Sequence, residues 1–462
     1  MPIVGAIMVP HPPILLPEVG RGEEKKIAAT AAAYEQAAAF AAELGPDTIV
    51  LASPHSIMYS DYFHISPGKA AKGDMGQFRA PQLTFRVEYD AEFADTLSRL
   101  CERTGFPAGT LGERKAELDH GTMIPLYYVN HYLQNYKLVR IGLSGLPLAE
   151  HYRLGRMIQQ TADKLGRRVA FIGSGDLSHK LREDGPYGFA KEGPDYDGRI
   201  MDVMGRAAFD ELLDFDESFC EKAAECGHRS FCMLAGALDA KRLETKRLSH
   251  EDTFGVGYGI CTYRVCGDDP DRRLLEKWEA RRNRALTEKR AKEDAFVRLA
   301  RAVINAWIGE RKRFPLPDDL PPEMTERRAG AFVSLHKDGR LRGCIGTIGP
   351  VRSCVAEEIA ENAISAATRD PRFSPVRQEE LDSLEISVDV LSTPEDIRSK
   401  AELDVKRYGV IVSKGARRGL LLPNLEGVDT VDEQVSIALR KAGISEHEKG
   451  IKLQRFEVVR HV

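Results

Sequence analysis

Three times in the first 180 residues, a short apolar run ends a few positions before a histidine. Residues 3–9 (IVGAIMV) lead into Pro10-His11-Pro12. Residues 48–52 (TIVLA) lead into Ser53-Pro54-His55. Residues 171–173 (FIG) lead into Ser174-Gly175-Asp176-Leu177-Ser178-His179. Runs this short and this apolar read as strands buried on both faces. Such strands need helices above and below them, which selects an α/β architecture. The intervening sequence agrees. Helices are expected over 25–44, 91–104, 123–136, 148–165 and most of 197–240. Further strands are expected over 83–89, 138–143, 168–173 and 256–265. This βαβ rhythm predicts a mixed or parallel sheet with helices on both faces.

In open α/β sheets, ligands bind in the crevice outside the carboxyl ends of the strands. Histidines delivered to that edge can converge on one metal ion. Prolines beside His11 and before His55 stiffen the backbone that presents them. A third protein ligand is needed, and Glu251, just before the last strand, is the candidate. His250 and Asp252 flank it, and each could serve instead. Two histidines and one carboxylate on one face of an octahedron favour non-haem Fe(II), with open positions for substrate and dioxygen. His179 is then left for moving protons near neutral pH. Asp176 either orients His179 or simply forms the turn.

Composition narrows the partners. At 462 residues, two or three domains are expected. The net charge of -4 argues against a nucleic-acid or anionic-membrane footprint. No apolar run reaches 18 residues, and the start lacks the basic region of a secretory signal. Eight scattered cysteines without such a signal point to reduced thiols and a cytoplasmic location. Cys220, Cys226, His228 and Cys232 lie close together, but they lack the paired spacing of a zinc site. They read as core residues of a helix, in a segment placed to wall the cleft.

The texture changes at Cys266. Residues 267–291 are turn-forming and then densely charged with both signs, which reads as a linker or solvated helix. From residue 292 an amphipathic helix (Phe296, Leu299, Val303, Ile304, Trp307) opens a second, smaller domain. Its strands often follow one another directly, so an α+β fold with a largely antiparallel sheet is expected over 292–462.

Two resemblances sharpen these expectations. The segments VPHPP (9–13), ASPH (52–55), LDHGTMIPLYY (118–128), GSGDLSH (173–179) and SHEDTFGVGYG (249–259) resemble the LigB-like class III extradiol ring-cleavage dioxygenases, a superfamily that includes the Memo-type proteins. The resemblance covers residues 1–266. It implies metal ligands at His11, His55 and Glu251, a catalytic acid/base at His179 and a substrate-side histidine at His120. Asp176, Ser178 and His250 are then supporting or substrate-side candidates. It also implies Fe(II), with Zn, Mn or Cu as alternatives, O2 and a catechol-like small molecule as substrates, and a homo-oligomer. A Memo-like metal-binding or scaffold role is the alternative reading. LRGCIG (341–346), ENAISAATRDPRF (361–373), LLLPN (420–424) and RKAGI (440–444) resemble the AMMECR family. That fusion resembles the AmmeMemoRadiSam arrangement, which implies a radical SAM protein as partner and a role as a biosynthetic or modification enzyme. In this second domain Arg342, Cys344, Arg369 and Asp370 are the candidates, either for thiol chemistry helped by Arg342 or for a charge cluster or anion pocket around Arg369, Asp370 and Arg372.

Overall fold

The strands that open the chain are buried at every position, and both of their faces are covered. The computed structural model describes residues 2–114, 117–425 and 427–462. It divides into two compact units, 1–280 and 281–462. In the first unit six strands form one sheet: β1 (Ile3–Val9), β2 (Thr48–Ser53), β3 (Lys137–Gly142), β4 (Val169–Ser174), β5 (Lys241–Glu251) and β6 (Tyr258–Asp268), in the order β3-β2-β4-β1-β6-β5. β3, β2, β4 and β1 are parallel. β6 runs antiparallel to β1 and forms a hairpin with β5.

Strand periodicity assigns alternate residues to two cores. Met8, Val50 and Phe171 pack on one face, while Ile7, Val9, Ile49, Leu51 and Ile172 pack on the other. Helices α1 (Ala28–Glu43) and α3 (His120–Val129) contribute to the second core. Helices α2 (Ala91–Thr104), α4 (Leu148–Leu165), α5 (Glu192–Arg206) and α6 (His228–Ala237) contribute to the first. The mixed α/β architecture expected from the sequence is the one observed.

Two local expectations need correction. The long helix over 197–240 is broken: α5 is followed by a short helix, Glu217–Ala223, and only then by α6. Ala207 (φ 53°) and Ala224 (φ 54°) take left-handed conformations that end the two preceding helices. β5 was not anticipated. Its sequence, KRLETKRLSHE, is largely charged because it is the outermost strand of the sheet, where charge discourages pairing with other chains.

The charged stretch, whose composition predicts a linker or solvated helix, is the helix Leu274–Ala291. In the second unit, β7 (Ala331–Lys337), β8 (Arg340–Gly346), β9 (Glu385–Leu391) and the terminal strand Val458–His461 form an antiparallel sheet. A second antiparallel sheet of four strands completes the unit. The α+β expectation is met. No helix among the described residues is long and apolar enough to cross a membrane.

Candidate metal centre

The order of the sheet creates the site. β1 and β2 flank β4, so the loops leaving their carboxyl ends meet over the end of β4. His11 and His55 leave β1 and β2, and their Nε2 atoms face each other at 2.9 Å. Cys226 Sγ lies 3.6 Å from His11 Nε2. The three donor atoms lie within 4.8 Å of one another. His120, the first residue of α3, places its ring centroid 4.0 Å from that of His55 and 5.4 Å from that of His11.

The hydrogen bonds around His11 determine which of its nitrogens is free. Ser174 Oγ donates its single proton to the Gly121 carbonyl at 2.6 Å. Its 2.9 Å contact with His11 Nδ1 is therefore one it accepts. Nδ1 carries the proton, and the Nε2 lone pair points at His55 and Cys226. The backbone is held as firmly. His11 N–H donates to Asp176 Oδ1 at 2.8 Å, and Tyr34 OH donates to the Pro10 carbonyl at 2.8 Å. On the other side, Asp119 caps α3 by accepting from Thr122 N–H at 3.0 Å. It also accepts from Ser53 Oγ at 2.5 Å, and Ser53 Oγ accepts in turn from His55 N–H at 3.2 Å. One carboxylate thus positions both His55 and His120, and the buried Arg140 guanidinium stands 3.5 Å from it.

Protonation states follow from burial. His11 is held well below the ordinary imidazole range by burial and by His55 beside it. His55 is lowered, chiefly by burial. His120 is pushed down to about 3 by burial and by the two neighbouring imidazoles. All three are neutral at pH 7 and present lone pairs. Burial raises the Cys226 thiol, and the nearby Asp176 carboxylate raises it further, so in the bare protein it holds its proton. Bound metal would displace that proton.

Two imidazole nitrogens and one sulfur fit a transition-metal ion. An ion about 2.05 Å from nitrogen and about 2.3 Å from sulfur in a tetrahedral site separates those donors by about 3.5 Å. The observed nitrogen–sulfur separation is 3.6 Å, and the two nitrogens stand 2.9 Å apart where such an ion would hold them at about 3.3 Å. Imidazole and thiolate together suit iron, zinc or copper better than magnesium, calcium or manganese.

Several expected residues stand elsewhere. Glu251 is outside this group. Its Oε2 accepts from Thr30 N–H at 2.6 Å and Thr30 Oγ1 at 2.5 Å, near the start of α1. It lies at the end of β5, two strands beyond β1, and its carboxylate is turned to Thr30. Cys226 occupies the third place instead. Asp176 does not orient His179 but pins the His11 backbone. His179 is set by its own Nδ1–H, which donates to the Ala224 carbonyl at 2.5 Å and leaves Nε2 free. It is close enough to act electrostatically on both His11 and His55. Ser178 turns inward, donating to the Ala223 carbonyl and accepting from Lys180 N–H. His250 meets the buried Asp197 at 2.8 Å, and Asp197 accepts from Ser178 N–H, so this pair braces the loop that carries His179.

Cys226 was missed because its segment read as continuous helix. The informative signal is glycine. A Cβ on Gly175 would come within 2.1 Å of Gly227 Cα, so the two loops can touch backbone to backbone only with glycine there. That contact carries Cys226 to Asp176, whose N–H donates to Sγ at 3.3 Å.

In the second unit the candidates are paired among themselves. Arg342 is bound to Glu380 at 2.9 and 3.1 Å and to the Ser374 carbonyl at 2.8 Å. Its guanidinium is therefore committed away from the Cys344 thiol, contrary to the expectation that it assists that sulfur. Cys344 Sγ accepts from Ser334 Oγ at 3.2 Å, and Cys344 N–H donates to Asp370 at 2.9 Å. Asp370 is also paired with Arg372 at 2.7 Å, and Arg369 reaches Glu361 at 3.3 Å. The RDPRF cluster ends its helix and locks it to the LRGCIG strand.

The family comparison agrees with the geometry. The family model for the catalytic LigB subunit of aromatic ring-opening dioxygenase matches residues 5–261. The chain belongs to the LigB family. The AMMECR1 model matches residues 297–461, so the LigB domain is joined to an AMMECR1 domain. A protein of Clostridium acetobutylicum is 40% identical over 469 residues, covering 100% of this chain and 99% of its own. A protein of Thermotoga maritima is 53% identical over 170 residues, which is 37% of this chain and 98% of that protein. The crystal structure of an uncharacterized protein from Pyrococcus horikoshii aligns with 36% of this chain and 88% of its own, at 34% identity and a TM-score of 0.34.

Proposed function

We propose that the LigB domain is a metal-dependent oxidoreductase of the extradiol type, with Fe(II) held by His11, His55 and Cys226 and a catechol-like or related diol as substrate. The observation that carries this reading is the convergence of two imidazole nitrogens and a thiol at the carboxyl edge of the sheet. When bound, Fe(II) supplies a meeting point for diol and O2 and a path for electrons between them. The protein's own residues do the rest. His179, fixed through Nδ1, offers Nε2 to take a hydroxyl proton from the diol and later to return one. His120, kept neutral, offers a hydrogen bond to a substrate oxygen from the opposite wall. Phe78, edge-on to His120 at 5.3 Å, shields that side from water.

The test is anaerobic Fe(II) reconstitution followed by O2 uptake with a panel of aromatic diols. Uptake is expected with at least one diol, and it is lost in His179→Ala while bound iron is retained. Bound iron with no uptake for any diol contradicts the proposal. A second reading, a metal-binding module of Memo type, draws on the thiol donor, which suits zinc or copper as well as iron. Zinc or copper at one per chain after anaerobic purification, with no O2 consumption, favours it.

A further inference from the structure

A cavity of about 490 Å³ opens beside the metal crevice, in the size range of small-molecule sites. Its wall includes Pro12, Ile14, Phe254, Val256 and Tyr258, with Arg182 at the rim. Pro12 follows the ligand His11 directly. The opposite wall is joined to the loop that carries His179: Leu177 N–H donates to the Gly257 carbonyl, Gly257 N–H to the Ser178 carbonyl and Leu181 N–H to the Gly255 carbonyl.

Tyr258 makes this more than an apolar recess. It is 3% exposed and lines the cavity, yet its hydroxyl has no hydrogen-bond partner among the described residues. The hydroxyl is the accessible end of an otherwise buried ring and opens on the cavity, where a phenylalanine would fill the same space but offer no hydrogen bond. At the rim, Arg182 is bound to Asp184 through two contacts of 2.9 and 3.0 Å, so no net charge faces the opening. The geometry points to a substrate subsite that takes a neutral apolar arm ending in a hydroxyl or carbonyl oxygen, hydrogen-bonded by Tyr258, while the reacting end lies at the metal. The assignment of the metal end rests on the reading proposed above, but the subsite itself does not need the metal.

Phenylpropanol, which has such an arm and no diol, separates the two. Ligand-observed NMR titration is expected to show saturable binding to the full-length protein, both metal-loaded and chelator-treated. Tyr258→Phe is expected to weaken that binding about fivefold, and Val256→Trp to abolish it by filling the space. Circular dichroism shows whether each variant is folded, and Tyr258→Phe carries the test alone if Val256→Trp is not. No saturable binding to the wild type, or undiminished affinity in Tyr258→Phe, overturns the subsite. Phenylpropanol binding without any O2 uptake on diols leaves the subsite standing and removes the extradiol reading.

Discussion

The two units each carry a dense polar cluster, and the clusters differ in what they leave unsatisfied. Around Cys344 every charge has a partner: Arg342 with Glu380, Arg372 with Asp370, Arg369 with Glu361. Around His11 the imidazoles are neutral, and the ring nitrogens of His11 and His55 converge with the Cys226 sulfur. A cluster whose donors and acceptors cancel holds a fold together. One that gathers three neutral ligand atoms at one point suits a cation. That contrast, more than the count of unusual residues, separates the candidate metal centre from the structural junction.

The sharpest way to break the comparison is at the glycine contact. Gly175→Ala places a methyl 2.1 Å from Gly227 Cα. It is expected to destabilise the LigB unit by about 3 kcal/mol, and to lose metal with it, while the AMMECR1 unit keeps its stability. Denaturant unfolding followed separately in each unit by hydrogen exchange checks this. The converse change, Asp370→Asn, removes one side of a buried charged junction. It is expected to cost the AMMECR1 unit about 2 kcal/mol and to leave metal content unchanged.

Acidity separates the clusters next. In chelator-treated protein, His120 titrates at about 3, whereas in the unfolded chain it titrates near 6.5. The unfolded state takes up the proton first, so stability from this group is complete above pH 6.5 and falls as the pH drops toward 3. The slope reaches about 1.4 kcal/mol per pH unit for each such histidine. For Glu380, burial raises the carboxyl, but the bonds from Arg342, the Arg377 N–H and Lys337 outweigh it and hold the group at about 2. Its contribution is complete above pH 4.5 and is lost only below that. Between pH 7 and 5, exchange protection around residues 9–11 and 174–179 is therefore expected to fall, while protection around 342–372 holds. The smallest effect is assigned to Glu251→Gln. It weakens the acceptor for Thr30 near the start of α1 and is expected to cost about 1 kcal/mol in a thermal or denaturant melt.

Much of the fold was legible because buried strands have few sequence solutions. Ile3–Val9, Thr48–Ser53 and Val169–Ser174 are buried at every position, and their apolar runs announced it. β5 was not legible, since an outer strand is selected for charge and not for hydrophobic pattern. His11, His55 and His179 were placed by the strands they follow, whereas His120 was marked only by the resemblance of LDHGTMIPLYY, since the helix expected from residue 123 begins at His120. Cys226 was not, because its place depends on a contact between Gly175 and Gly227, 52 positions apart. Glu251 was misplaced for the same kind of reason. Sitting at the end of a strand on the correct edge does not bring a residue into the group when another strand, β6, stands between.

Metal content after anaerobic purification tests the central claim most directly. The account predicts near-stoichiometric metal in the wild type and in Glu251→Gln, and less than about a tenth of it in His11→Ala and Cys226→Ala, because removing one of three protein donors from such a site sharply lowers affinity. Metal retained in Cys226→Ala but lost in Glu251→Gln would contradict it, and would return the third ligand to the carboxylate at the end of β5.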